Sequence, residues 1–194
     1  MPDASTARFD VFREEPTLIV SCDVAEPSDL NGYDRDPRSI AKRAEAYLQA
    51  SGLGDTAFFG PEPEFFVFDS IRWDDQMSGS FVEIGGEHAP WSRGSELNGR
   101  NLGKRPTIKG GYMPVPPVDQ FHDMRSEMCL LLEQQGVPVE VHHHEVGGAG
   151  QQEIGTRFST LVQRADWTQI MKYTITNVAH GYGKAATFMP KPML

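Results

Sequence analysis

Cysteine is scarce: Cys22 and Cys129 are the two in 194 residues, and they form no spacing motif. That excludes a disulfide framework and leaves two inert thiols of a reducing compartment as the expectation. Long hydrophobic runs are also missing. Phe65-Phe66-Val67-Phe68 falls far short of the roughly 20 residues that a membrane span needs. Met1-Pro2-Asp3-Ala4-Ser5 has neither a basic region nor an apolar stretch, so no secretory leader is expected and a cytoplasmic location is. Positive charge is thin, with 18 Lys+Arg against 27 Asp+Glu and a net charge of −9. This argues against nucleic-acid partners and suits a site that collects cations. There are no repeats and no low-complexity tracts. What is there is an ordinary globular composition, 39% hydrophobic with 11 Phe, 3 Trp and 5 Tyr, enough to build a core in one domain or two small ones.

Local signals divide the chain into elements. Residues 17–24 are β-branched and read as a strand, with no partner strand before it. Asp36 followed by Pro37 is an N-cap with proline at the first helical position, and Ser51-Gly52 closes that helix. Ile40, Ala44, Tyr47 and Leu48 would form its apolar face. The aromatic run within 56–69 favours a strand, limited at its start by Pro61 and Pro63. Residues 70–111 read as a long irregular excursion with a short strand at 81–84. Asp119 would cap a helix running through Gln135, with Phe121, Met124, Met128, Leu131 and Leu132 inward and Gly136 at its C-terminal end. Two strands, 137–146 and about 151–157, flank a glycine-rich turn. The last helix is expected from Asp166 to Gly181 on a stripe of Trp167, Ile170, Met171, Thr174 and Val178.

Carboxylates are the residues that suggest chemistry. In a strand Glu62 and Glu64 point to one face, where like charges repel unless a cation lies between them. Glu145 and Glu153 flank the turn and become cross-strand neighbours if it is a hairpin. Solvated glutamates at an exposed edge are the alternative for each pair. Oxygen donors suit Mg²⁺ or Mn²⁺ rather than zinc. The triplet His142-His143-His144 invites a transition-metal reading, but alternate residues of a strand face opposite ways, so a buried or nucleotide-facing histidine is the other reading. Glu140 shares a face with Glu145 only if the strand bulges. Lys109-Gly110-Gly111-Tyr112 lacks the phosphate-loop pattern and reads as a turn. No nucleophile stands out, since neither cysteine lies near a histidine and no G-x-S-x-G occurs.

Four motifs in order then resemble the bacterial-type (class I) glutamine synthetases: Gly60-Pro61-Glu62-Pro63-Glu64-Phe65-Phe66, Lys109-Gly110-Gly111-Tyr112-Met113-Pro114-Val115-Pro116-Pro117, His142-His143-His144-Glu145-Val146 with Gly150-Gln151-Gln152-Glu153, and Asn177-Val178-Ala179-His180 through Lys184-Ala185-Ala186-Thr187-Phe188-Met189-Pro190-Lys191-Pro192. The resemblance runs from end to end. It implies an α/β (α+β) fold: residues 1–30 as the end of an N-terminal β-grasp domain, and 37–194 as the first part of a catalytic domain with a curved, mostly antiparallel sheet. It implies that the C-terminal half of a family member lies beyond this sequence. It also implies an ATP-dependent glutamate–ammonia ligase that forms γ-glutamyl phosphate, works with two Mg²⁺ or Mn²⁺ ions and assembles as a homo-oligomeric double-ring dodecamer. Matched by motif, Glu64, Glu145 and Glu153 hold the first ion and Glu62 the second. Glu140 and His143 lie beside the nucleotide, Phe158 near its base, and Tyr112 with Glu145 around the ammonium pocket. Gly147-Gly148, Trp167 and Gly181-Tyr182 depart from the family pattern without touching a ligand position. Two other readings stay open: a catalytically inert metal-binding or assembly module, and a γ-glutamyl-amine ligase using an organic amine.

Overall fold

The computed structural model describes residues 1–87, 89–92 and 105–193. The elements in chain order are β1 (Arg8–Phe9), β2 (Leu18–Ile19), α1 (Pro37–Ser51), β3 (Phe58–Phe59), β4 (Glu64–Phe68), β5 (Ser70–Gln76), β6 (Gly79–Gly85), α2 (His122–Gln134), β7 (Val139–His144), β8 (Gln151–Thr156), β9 (Ser159–Thr160), α3 (Leu161–Gly181) and β10 (Ala185–Thr187). The central sheet has the order β10-β4-β8-β7, and every pairing in it is antiparallel. This mixed α/β architecture is the expected class.

One face of that sheet builds the core. Phe65 and Val67 of β4 and Ile154 of β8 pack against Met124, Met128 and Leu132 of α2 and against Ile170, Met171, Ile175 and Val178 of α3. Alternation then dictates what the other face carries: Glu64, Phe66 and Phe68 from β4, and Gln151 and Glu153 from β8. Each buried side chain of this size contributes about 1.5–3 kcal/mol, so the core fixes the register and with it the polar face.

α1 follows its local signals. The Asp36 side chain accepts from the Arg38 and Ser39 amides, Pro37 opens the helix and Gly52 closes it at φ 72°. Its expected apolar face, however, looks outward: Ile40 and Tyr47 are exposed, and no α1 residue is buried. Polar links hold the helix instead. Arg38 pairs with Asp166 of α3 and with Asp3 and Asp23 of the N-terminal segment.

The structure corrects four further expectations. The strand expected at 17–24 is short and does have a partner before it, because β1 pairs with β2. Within the supposed excursion 70–111, β5 and β6 form a seven-pair hairpin closed by Met77-Ser78, the short strand expected at 81–84 lying inside β6; residues 88 and 93–104 of that stretch lie outside the described residues. Asp119 does not cap α2, whose N-cap is Phe121; its carboxylate accepts from the Phe121 amide and binds Arg125. α3 starts five residues before the expected Asp166, because Glu45 of α1 accepts from the Val162 amide at 3.0 Å and completes the first turn from outside.

Candidate metal centre

The β7–β8 hairpin brings the acidic residues together, though in a different register from the expected one. Glu153 lies opposite His143, not Glu145. Glu145 sits just past the end of β7, where its amide donates to the Gln151 carbonyl at 2.8 Å. On its other side Glu153 lies opposite Glu64 across β4–β8. β4 begins only at Glu64, so Glu62 stands in the extended segment before the strand rather than within it.

His143 is the centre of the group. Its Nδ1 is 3.5 Å from Glu145 Oε1 and its Nε2 is 3.6 Å from Glu153 Oε2. One ligand atom each from His143, Glu145 and Glu153 lie within 4.8 Å of one another, close enough for a single ion. The carboxylate oxygens of Glu145 and Glu153 are the donors that Mn²⁺ or Mg²⁺ would take, whereas the imidazole is a softer donor at the edge of the group. Burial pushes the Glu153 carboxyl above the ordinary glutamate range; His143 opposes that shift, while Glu145 and Glu62 add to it by repulsion. A cation relieves both burdens.

The supports of the site come from several directions. Glu145 is 7% exposed, and its Oε2 accepts from the Val146 amide at 2.6 Å. Gln151 had no role in the sequence reading. Its Nε2 donates to Glu64 Oε2 at 2.7 Å and its Oε1 accepts from the Gly147 amide at 2.5 Å. The signal for it was parity, since Gln151 lies two residues from Glu153 on one strand and must share its face. A Cβ at residue 147 would sit 2.1 Å from Gln151 Oε1, so glycine there makes room for this link. Gly111 works the same way, because a Cβ would meet the Glu145 carbonyl at 2.5 Å. That close approach, with His144 Nδ1 donating to the Gly111 carbonyl at 2.8 Å, lays Tyr112 edge-on to the His143 ring with centroids 5.6 Å apart. The segment Lys109–Tyr112 belongs to a turn, in which the Gly110 amide donates to the Thr107 carbonyl.

Behind the acidic face, Arg125 is 1% exposed. It donates to both Asp119 carboxylate oxygens, to Gln152 Oε1 and, at 3.2 Å, to His142 Nδ1. His142 is therefore a core-side group and no metal ligand; burial, then the Arg125 charge, hold its pKa low. Glu140 sits at a bulge between Val139 and Val141, the one condition under which the simple alternation fails, and its carboxylate meets Arg157 Nε at 3.4 Å. Phe158 is edge-on to Phe58 with centroids 5.3 Å apart. A cleft of about 510 Å³ opens beside Glu64 and Gln151, with Lys109, Val146 and Lys191 among its walls.

Residues 34–194 match the family model for the catalytic domain of glutamine synthetase. The chain belongs to the glutamine synthetase family. A 3-hydroxylaminophenol mutase of Cupriavidus pinatubonensis is 70% identical over 194 residues, covering all of this chain and 41% of that relative. The glutamine synthetase of Escherichia coli K12 is 59% identical over 193 residues, again covering 41% of the relative. The glutamine synthetase of Plasmodium falciparum solved by cryo-electron microscopy superposes with a TM-score of 0.88 at 25% identity, over 99% of this chain and 37% of that one. The chain thus spans about two-fifths of the length of these family members. Among the described residues no helix is long and apolar enough to cross a membrane.

Proposed function

We propose that these residues form the ion- and nucleotide-facing part of an ATP-dependent glutamate–ammonia ligase. The observation that carries this reading is the convergence of His143, Glu145 and Glu153 around one point, with Glu64 opposite Glu153. On this reading Glu64, Glu145 and Glu153 hold one Mg²⁺ or Mn²⁺, and Glu62 belongs to a second. His143, Glu140 and Phe158 lie along the ATP, and Tyr112 with Glu145 receives ammonium. Divalent ions so held supply charge neutralisation on the phosphoryl oxygens, which is the main demand of phosphoryl transfer. The protein's own residues then orient the carboxylate acceptor and keep water from an acyl phosphate. Residues 1–30 are read as the end of a β-grasp domain and 37–194 as the start of the catalytic domain; the family match beginning at residue 34 supports that division. A homo-oligomeric dodecamer in the cytoplasm completes the reading.

A second reading has a specific observation behind it: the mutase relative is 70% identical, against 59% for the Escherichia coli glutamine synthetase. A mutase rearranges its substrate and releases no phosphate. One experiment separates the possibilities. The 194-residue chain, and a longer polypeptide carrying it, are assayed for phosphate release dependent on ATP, glutamate and ammonia, and for conversion of 3-hydroxylaminophenol without ATP. Ammonia-dependent release is the expected result. Release only with an organic amine moves the assignment to a γ-glutamyl-amine ligase, and ATP-free rearrangement moves it to the mutase. Mn²⁺ binding by the short chain without either reaction makes it an accessory module.

A further inference from the structure

The first turn of α3 buries a cation that has no counter-ion among the described residues. Arg164 is 2% exposed. Its polar contacts are long: 3.4 Å from Nη1 to Thr168 Oγ1, 3.4 Å from Nη2 to the Pro61 carbonyl, and 3.8 Å from both to Met171 Sδ. Nε is buried with no hydrogen-bond partner. Burial alone acts on its pKa, lowering it, with no carboxylate close enough to oppose the shift. Arg125, the other buried arginine among the described residues, behaves differently, since it holds Asp119, and half-buried Arg38 holds Asp166, Asp3 and Asp23. A charge taken out of water and left uncompensated is costly, so this position makes physical sense when an anion joins it.

The surroundings define what kind of anion. Arg164 lines a cleft of about 440 Å³ whose other walls include Phe58, Phe59, Pro61 and Leu161. Phe58 and Phe59 are 63% and 41% exposed, and among the described residues β3 is paired on one side only, by β9. A free phosphate would satisfy the guanidinium and leave the aromatic walls wet. A purely apolar ligand would cover the walls and bury the guanidinium still unpaired. A carboxylate carried on an apolar body satisfies both.

We propose that this cleft is a docking seat for an acidic side chain on an apolar protein segment. Arg164 takes the carboxylate in a forked pair, and Phe58 and Phe59 cover the residues that flank it. The occupant is protein because family polypeptides carry much more chain than the matched residues, this chain covering 41% of each relative. An apolar wall and a buried charge without a carboxylate partner among the described residues coincide at this cleft, the combination that such a segment would cover. The inference stands apart from the metal reading, for none of the acidic residues of that centre lines this cleft.

Thermal melts of the 194-residue chain in EDTA test it. The probe is acetyl-leucyl-glutamyl-leucine amide, and its glutaminyl counterpart is the control. Arg164→Met is expected to melt about 2–4 °C above wild type, because the uncompensated charge is gone. The glutamyl peptide at about 50 mM is expected to raise the wild-type midpoint by a few degrees and to leave Arg164→Met unmoved. Arg164→Lys keeps part of the response, and the glutaminyl peptide gives none. The proposal is overturned if Arg164→Met melts below wild type, if both peptides act alike, or if the glutamyl peptide moves wild type and Arg164→Met equally or not at all. A wild-type chain without a cooperative melt in either condition overturns it as well, since no folded seat then exists. Hexanoate saturating at micromolar concentration overturns the protein occupant in favour of a small organic acid.

Discussion

Replacing Arg125 with Met should cost more than any change on the acidic face itself. Arg125 and Asp119 are both almost fully buried and bonded to each other. Methionine keeps the bulk and removes every donor, so Asp119 loses its cation and Gln152 Oε1 and His142 Nδ1 lose a partner at the same stroke. Breaking one side of a buried ion pair costs about 3–5 kcal/mol, a large share of the roughly 5–15 kcal/mol that a domain has. At about 2–4 °C per kcal/mol for a chain of this size, the midpoint falls by roughly 10 °C. Urea titration followed by circular dichroism should show a lower midpoint with an unchanged slope. Arg125→Met with Asp119→Asn should recover part of the loss, because the stranded charge is then gone.

The pH dependence of that difference has a definite sign. Burial alone would raise the Asp119 carboxyl; the hydrogen bonds and charge of Arg125 outweigh it, and the pKa lies below the ordinary 3.8. A depressed carboxyl pKa contributes stability above the unfolded value and loses it as pH falls through the folded one. The gap between wild type and Arg125→Met should therefore be largest near neutral pH, begin to close as pH falls through the raised value that burial gives Asp119 once Arg125 is gone, and close further as pH falls through the depressed wild-type value. A gap under about 1 kcal/mol at pH 7, or one that closes as pH rises, refutes the reasoning.

Two further outcomes follow. Glu45→Ala removes the acceptor that completes the first turn of α3 from outside and should cost about 1 kcal/mol; hydrogen exchange at the Val162 amide should speed up, and unchanged exchange there refutes the cap. Glu153→Gln should weaken Mn²⁺ binding, read by electron paramagnetic resonance, about tenfold or more, and wild-type affinity should begin to fall with acid above the ordinary glutamate value of 4.5, because burial holds the Glu153 carboxyl up; affinity that stays flat down to pH 4.5 refutes this.

The elements that were legible in the sequence are those whose signals are local. α1 carries its N-cap, its proline and its closing glycine within one stretch, and all three sit where the residues placed them. The start of α3 was not legible, because its cap is Glu45, 117 residues away. The β5–β6 hairpin escaped because both strands are largely exposed, so no alternation of burial marks them, and Met77-Ser78 is not a turn signature. Asp119 followed by a helix looks like a cap, and only the fold reveals that Arg125 claims its carboxylate.

The acidic face shows the same division more sharply. Parity within a strand is a sequence property, and it places Gln151 and Glu153 on one side of β8. Register between strands is not, and the assumption that residues flanking a turn face each other set Glu145 against Glu153. The hairpin instead places His143 opposite Glu153 and lets Glu145 reach the same point from beyond the end of β7. This difference has a physical consequence. Glu145 is taken out of direct opposition to Glu153, while Glu64 stays opposite it across β4–β8. The imidazole of His143 stands between Glu145 and Glu153, 3.5 Å from one carboxylate and 3.6 Å from the other. Gln151 draws in the third strand, tying the Glu64 carboxylate to the loop at Gly147 through one donated and one accepted hydrogen bond of its amide.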